Sequence, residues 1–183
     1  MYGFYIAAAI LLILVIWLVA DYNTLVRLRN MAREAFSSMD VYLKKRYDLI
    51  PNLVETVKGY AAHEATTLEK VIEARNRAAG AQDIKAKAEG ENALTGTLKS
   101  LFALAEAYPE LKANTNFMEL QKQLQGVEAD IANSRRYYNA VVRDYNIKIE
   151  SFPSSIVASL FSFRRETLFE IGGQERENVK VQF

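Results

Sequence analysis

The sequence predicts an all-α protein, an N-terminal transmembrane helix followed by an elongated antiparallel four-helix bundle with long, coiled-coil-like helices. Three observations carry this. Apolar residues recur at steps of three and four along most of the chain. Only 8 Gly and 3 Pro punctuate 183 residues, too few for the tight turns of an all-β sandwich. The first 20 residues, MYGFYIAAAILLILVIWLVA, carry no charged side chain. The expected organisation is an anchor over 1–21, a helical bundle over 22–152, and an amphipathic segment with a tail over 153–183.

The apolar run spans about 30 Å as a helix, the thickness of a bilayer core. Tyr2 and Tyr5 near one end, and Trp17 and Tyr22 near the other, stand where membrane-interface aromatics stand. A cleaved signal peptide wants a basic leader and small residues before the cut. Here no basic residue precedes the run, and Leu18-Val19-Ala20 closes it, so a retained anchor is expected. Arg27, Arg29 and Arg33 follow the span and none precedes it, which places the N-terminus outside and the large domain in the cytoplasm.

Nothing between Ala20 and Asn23 breaks a helix, so the anchor is expected to run on into the seam Leu25, Leu28, Ala32, Ala35 and Met39. The seam resumes at Leu43, Tyr47, Ile50, Val54 and Val57. Pro51 falls inside this pattern, and its missing N–H predicts a kink or break. A second helix is expected around 65–79, with Leu68, Val71 and Ile72 inward. It closes at Gly80 in the C′ position, and Asp83 caps the next helix. That third helix turns Ile84, Leu94, Leu98, Leu101, Ala105 and Tyr108 inward. Lys87 and Glu91 fall in register with them, so its first turns are expected to be looser, and Pro109 to stop it. The fourth helix is the most regular. Asn116 with Glu119 reads as a capping box, and Phe117, Leu120, Leu124, Val127, Ile131, Ser134, Tyr138, Val141 and Tyr145 alternate steps of three and four, with Phe152 continuing. Pro153 ends it. A rod of about 54 Å cannot bury its stripe alone, and short linkers favour an intramolecular bundle over a parallel oligomer.

Beyond Pro153, Ile156, Val157, Leu160, Phe161 and Phe163 precede Arg164 and Arg165. The segment is too short to span a bilayer. Two readings stay open: an interfacial helix with basic flanks making a second membrane contact, or a cap packed on the bundle end. Val179, Val181 and Phe183 alternate at strand spacing, either to join a neighbour's sheet edge or as a frayed terminus.

Chemistry is sparsely provided for. With no Cys, there is no thiolate catalysis, disulfide or Cys-ligated metal, and a single His cannot build the Glu-x-x-His pairs of a di-metal bundle. His63-Glu64 lacks the second His of a zinc protease motif and reads as a solvated or capping His. No Gly-rich phosphate loop follows a strand. A formal net charge of +1 gives no argument for nucleic acid. The expectation is a non-enzyme without a cofactor or metal.

One stretch is unusual for a bundle helix. Asp130 to Asn139, continuing to Arg143-Asp144-Tyr145-Asn146, is rich in Tyr, Asn and Arg. With Tyr138 and Tyr145 in the seam, Arg136, Asn139, Arg143 and Asn146 are expected together on the opposite face. That stripe is either a solvated outer face or a subunit or partner interface. Asn is a poor helix former with no local reason to recur, and Arg and Asn offer several donors each, which leans the reading toward an interface.

At these residues the chain resembles the LemA family of bacterial membrane proteins. The resemblance is carried by the N-terminal anchor, Arg46-Tyr47-Asp48-Leu49-Ile50-Pro51-Asn52-Leu53-Val54, Glu73-Ala74-Arg75-Asn76-Arg77-Ala78, Asp130 to Asn139 with Arg143 to Asn146, and Phe152-Pro153. It covers about residues 1–165, and the tail after Arg165 matches loosely. It implies a cell-membrane protein with one transmembrane helix and a four-helix cytosolic bundle, with no enzyme activity established. The family's similarity to a magnetosome protein involved in forming an invaginated membrane implies membrane shaping. Within the motifs, Asp48, Arg75, Arg136 and Asn139 fit a charge pair across the bundle equally well. The leading expectation is therefore a scaffold that self-associates and organises membrane lipids. The alternative is a monomeric adaptor that binds another membrane protein or a protease through the same polar face.

Overall fold

The structure is a computed structural model, described over residues 1–170; the alternating tail at Val179, Val181 and Phe183 lies outside the described residues. The described chain is helical, with no strand. Helix α1 (Tyr2–Lys58) joins the apolar run and the first seam in one uninterrupted element. A 3-10 turn (Ala62–Glu64) leads into α2 (Ala65–Gly80), then α3 (Ile84–Glu106), the single turn α4 (Pro109–Lys112), α5 (Thr115–Glu150) and the short α6 (Ser154–Leu160).

The helical seams are largely where the periodicity puts them, although Ile72, Ile84, Tyr108, Leu120 and Ser134, all expected inward, are half-buried. From Leu25 to Val57 every expected seam residue of α1 is buried except Leu28, which is half-buried. In α5, Phe117, Leu124, Val127, Ile131, Tyr138, Val141 and Tyr145 are buried. Several local expectations are corrected. Helix α1 runs through Pro51 without a break. Gly80 is the last residue of α2, not a left-handed cap, and the described residues include no glycine with positive φ. Asp83 does cap α3, accepting from Ala86 N at 2.8 Å. The cap of α5 is Asn114, not Asn116: its Oδ1 accepts from Phe117 N at 2.9 Å, the normal reach from cap to third residue. Pro109 does not stop α3, which ends at Glu106; it opens α4, where a missing N–H costs nothing. Phe152 leaves the seam and is 83% exposed.

The chain forms two compact units. One comprises Met1–Ser37 with Arg136–Leu168. Its core is Leu25, Tyr145, Val157, Ala158 and Phe163, with Trp17, Leu18 and Tyr22 packed against it. Helix α6 ends in a left-handed turn. Ser162 takes φ 55, its N–H bonds to Ser159 O at 3.2 Å, and Phe163 N–H bonds to Ala158 O at 2.9 Å. These two bonds are the Schellman pattern, formed here on a Ser in the position Gly usually takes. The turn sends Phe163 inward while Phe161 stays 45% exposed.

The other unit comprises Ser38–Arg135 with Phe169 and Glu170. Here α2 lies unusually close to α3. A Cβ built on Gly90 would stand 2.8 Å from Ala78 Cα, so only Gly fits at that crossing. Gly126 on α5 has nothing within 4 Å of a built Cβ. The two glycines therefore have opposite consequences. Gly90→Ala should destabilise by about 1–3 kcal/mol through overpacking, whereas Gly126→Ala should stabilise by about 0.5–1 kcal/mol through helix propensity. Thermal unfolding of the full chain in detergent, followed by far-ultraviolet circular dichroism, checks both signs.

Candidate functional site

Two constellations stand out, one in each unit. In the unit built on Ser38–Arg135, the centre is a buried guanidinium. Arg46 is 2% exposed. Its Nη1 donates to Glu91 Oε2 at 2.7 Å, and its Nη2 donates to Thr95 Oγ1 at 2.9 Å and pairs with Glu128 Oε1 at 2.8 Å. The Tyr47 hydroxyl donates to the other oxygen of Glu91. Burial, the Glu91 charge and this hydrogen bond push the Tyr47 hydroxyl well above its ordinary range, so it stays a donor. Burial pushes the Glu128 carboxyl up, and Glu91 adds to this against the pull of Arg46. One guanidinium thus ties α1 to α3 and α5.

Sequence reasoning misread this cluster. Lys87 and Glu91 do not loosen the start of α3; each has a partner on α1. Lys87 Nζ lies 2.5 Å from Asp40 Oδ1. Burial pushes the Asp40 carboxyl up, but hydrogen bonds from Lys87 and Lys44 outweigh it and leave the group below its ordinary value. The available signal was the i, i+4 pair of charges at inward positions facing Asp40 and Arg46.

The same unit explains why α1 survives Pro51. Proline cannot donate to the carbonyl four residues back, which is that of Tyr47. Arg75 Nε, from α2, donates to that carbonyl at 3.1 Å. Two separate sequence motifs are therefore one device, the second supplying the donor that the first removes. Asp48 is exposed and takes no part in the guanidinium cluster.

In the unit built on Met1–Ser37 and Arg136–Leu168, the constellation sits where the apolar run ends. Asp21 is 5% exposed. Its Oδ1 accepts from Ser154 Oγ at 2.8 Å and pairs with Lys148 Nζ at 2.5 Å, fastening the start of α6 to α1. The Tyr22 ring meets Phe161 at a tilt and Phe163 edge to face, with ring centroids 4.7 and 5.7 Å apart. The Arg29 guanidinium lies 5.1 Å from the Phe163 ring centre. Of the expected interface aromatics, Tyr2 and Tyr5 are exposed, while Trp17 and Tyr22 are half-buried against this cluster. The segment expected to make a second membrane contact divides. Val157 and Phe163 are buried, and Ile156, Leu160, Phe161, Arg164 and Arg165 are exposed. Arg165 pairs with Glu150 at 3.0 Å.

The polar stripe of α5 also divides. Arg136 and Arg143 are exposed and Asn139 is half-buried. Arg136 and Asn139 both have contacts within the chain. Asn146 lies on the same stripe but is covered by the chain that returns from α6. It is 7% exposed, and its amide holds the backbone of Glu166 from both sides, Nδ2 to Glu166 O and Oδ1 from Glu166 N, each at 2.9 Å. Next to it, Tyr138 donates to Thr167 O at 2.7 Å, and burial and the Glu166 charge push its hydroxyl up to about 12. Asn146 and Tyr138 thus clamp the chain that returns from α6. No group of three or more metal-ligating side chains occurs among the described residues.

Over the described residues these features define an all-helical protein with one apolar helix, near the N-terminus, long enough to cross a membrane. The chain belongs to the LemA family, whose model matches residues 35–183, including the tail beyond Arg165 and excluding the apolar run. It is 25% identical to Protein LemA of Metamycoplasma hominis, covering 86% of this chain and 72% of that one. It is also 25% identical to Magnetosome protein MamQ 2 of Paramagnetospirillum magneticum, covering 84% of this chain and 66% of that protein. Magnetosome protein MamQ of Magnetospirillum gryphiswaldense matches at 25%, with 83% and 65% covered. The chain thus spans about two thirds of the length of the MamQ proteins it matches. None of these names is that of an enzyme, and together with the apolar helix they point to a membrane-associated protein.

Two stability predictions follow from the geometry. Arg46→Met should destabilise by about 3–5 kcal/mol, because it strands the buried Glu91 carboxylate, read as a fall in the thermal midpoint in detergent. Arg75→Ala should cost about 1–3 kcal/mol alone and markedly less beside Pro51→Ala, where residue 51 regains its own N–H. A double-mutant cycle on the same thermal readout measures the coupling, and strict additivity would contradict this account.

Proposed function

We propose that this protein is a non-enzymatic, membrane-anchored helical scaffold that self-associates and organises the bilayer around it. Residues 2–20 cross the membrane as the first part of α1. The N-terminus lies outside and the remainder in the cytoplasm of a bacterial cell. The observation that carries the reading is the exposure along α1. Residues 2–16 are exposed on every side and Trp17 and Leu18 are half-buried, whereas a regular buried seam starts at Asp21 and Leu25. Large apolar side chains uncovered all round a helix are what hydrocarbon accommodates and water does not. Arg27, Arg29 and Arg33 after the span support this orientation. The relatives named as magnetosome proteins support a membrane setting.

In this reading α2, α3 and the stretches of α1 and α5 within Ser38–Arg135 make an antiparallel four-helix bundle. Copies meet through the outer side of α5 at Arg136, Asn139 and Arg143. Asn146 is left out, because its amide is committed to Glu166 inside the chain. Side-by-side copies would fix the spacing of their anchors, and so act on the lipid between them.

Native mass spectrometry of the full chain in mild detergent tests self-association. The expected result is a defined oligomer that shrinks on Arg143→Glu or Arg136→Glu without a change in helical content or thermal midpoint. An unchanged oligomer in both variants moves the interface elsewhere. A monomeric wild type overturns self-association and leaves a tethered adaptor that binds another membrane protein through this face.

A further inference from the structure

We propose that α6 and the turns flanking it form a second, interfacial membrane-binding element that selects acidic phospholipid. The proposal rests on the reading of residues 2–20 as a span and deepens it. Three observations place it. First, α6 is two-faced in fact and not only in pattern. Ser154, Val157 and Ala158 are buried against α1 and α5, whereas Ile156 and Leu160, one turn apart, are 58% and 65% exposed. Phe152 before the helix and Phe161 after it are also exposed. Four large apolar side chains are thus uncovered within ten residues, where a water-facing surface usually scatters them singly.

Second, the element is continuous with the span. Phe161 meets Tyr22 at a tilt, and Trp17 and Leu18, from the last apolar turns, pack on the same core as Val157. The Asp21 carboxylate, the first charge after the span, is bonded to Ser154 at the start of α6. A helix fastened there stands at the depth where headgroups meet acyl chains, if the span is in hydrocarbon. Third, the charges suit an anionic surface. Arg164 is exposed and Arg165, though paired with Glu150, is 69% exposed, while Lys148 neutralises Asp21. Apolar side chains with basic neighbours at such a boundary are the composition of an interfacial helix. With two attachments, the direction in which the first helix leaves the bilayer is set by the protein and not by the anchor alone.

The chain has no cysteine, so one substitution carries one polarity-sensitive fluorophore. The full chain is reconstituted into phosphatidylcholine vesicles with or without phosphatidylglycerol, containing a lipid spin-labelled either at shallow depth, which reads positions 160 and 140, or near the bilayer midplane, which reads position 9. Labels are placed at Leu160→Cys, at Ala9→Cys in the span and at Ala140→Cys on the exposed side of α5. The expected result is quenching at 9 and 160 and none at 140. Quenching at 160 should be stronger with phosphatidylglycerol, and that gain should fall about fivefold on Arg164→Gln. Quenching at 9 without quenching at 160 leaves the span and overturns the second contact. A label at 160 that is shielded from water yet not quenched by lipid overturns it in favour of a second copy covering the patch. Equal quenching at 160 in both lipids overturns the selection for acidic lipid. A water-exposed label at 9 overturns the span, and with it this proposal.

Discussion

A guanidinium buried at the middle of a helical unit sets the terms for everything packed around it. Arg46 is as inaccessible as the leucines beside it, yet it carries a charge that has to be matched. Three helices meet that demand, through Glu91 and Thr95 on α3, Glu128 on α5, and Tyr47 on α1 itself. Seams made of Leu, Val and Ala tolerate sliding by a turn with little loss. A fork of donors that needs two carboxylates and a hydroxyl at fixed places does not. The cluster is therefore read as the device that selects one register among several that hydrophobic burial alone would accept, a known use of buried polar groups in helical assemblies.

Around that centre, the unit uses its irregular residues in complementary pairs. Pro51 removes a donor from α1 and Arg75 returns one from α2. Gly90 removes a side chain from α3, and Ala78 of α2 moves into the space. Lys87 at an inward position of α3 finds Asp40 on α1. In each pair one member alone would be a defect and the two together hold two helices at one separation and one register. Arg46 and Pro51 lie in one of the motifs that carry the family resemblance, and Arg75 and Ala78 lie in the other.

The helices, their seams and the apolar run were legible from the spacing of Leu, Ala, Val and Tyr alone. That legibility comes from repetition: dozens of residues vote for the same period, and no single one has to be right. What was not legible depends on single partners far apart in sequence. Nothing near Pro51 says that Arg75 will serve Tyr47, and nothing near Glu91 says that it faces Arg46 and not water. Asp83 was found as a cap, but the cap of α5 was missed for a related reason. Asn114 and Asn116 both suit a helix start, and the choice between them depends on where the turn after α4 delivers the chain. Asn146 was misplaced because helical spacing treats Arg136, Asn139, Arg143 and Asn146 as one stripe. The chain returning from α6 covers the last of them and supplies its backbone as the partner.

The segment after Pro153 shows why composition left two readings open. Its apolar residues were expected either to cap the helices or to face a membrane, as though one helix had one apolar side. The Schellman turn at Ser162 breaks that choice. By reversing the chain one residue after Phe161, it puts Phe163 under Arg29 while leaving Phe161 beside Tyr22, partly uncovered. Val157 and Phe163 then do the capping, and Ile156 and Leu160 are left without a protein neighbour on their outer side. A short helix rarely keeps both faces apolar unless both are used. The inner face is accounted for by Leu25 and Tyr145. The outer face stands beside the end of an apolar run that is uncovered from residue 2 to residue 16, and under the two proposals made above one bilayer would take up both.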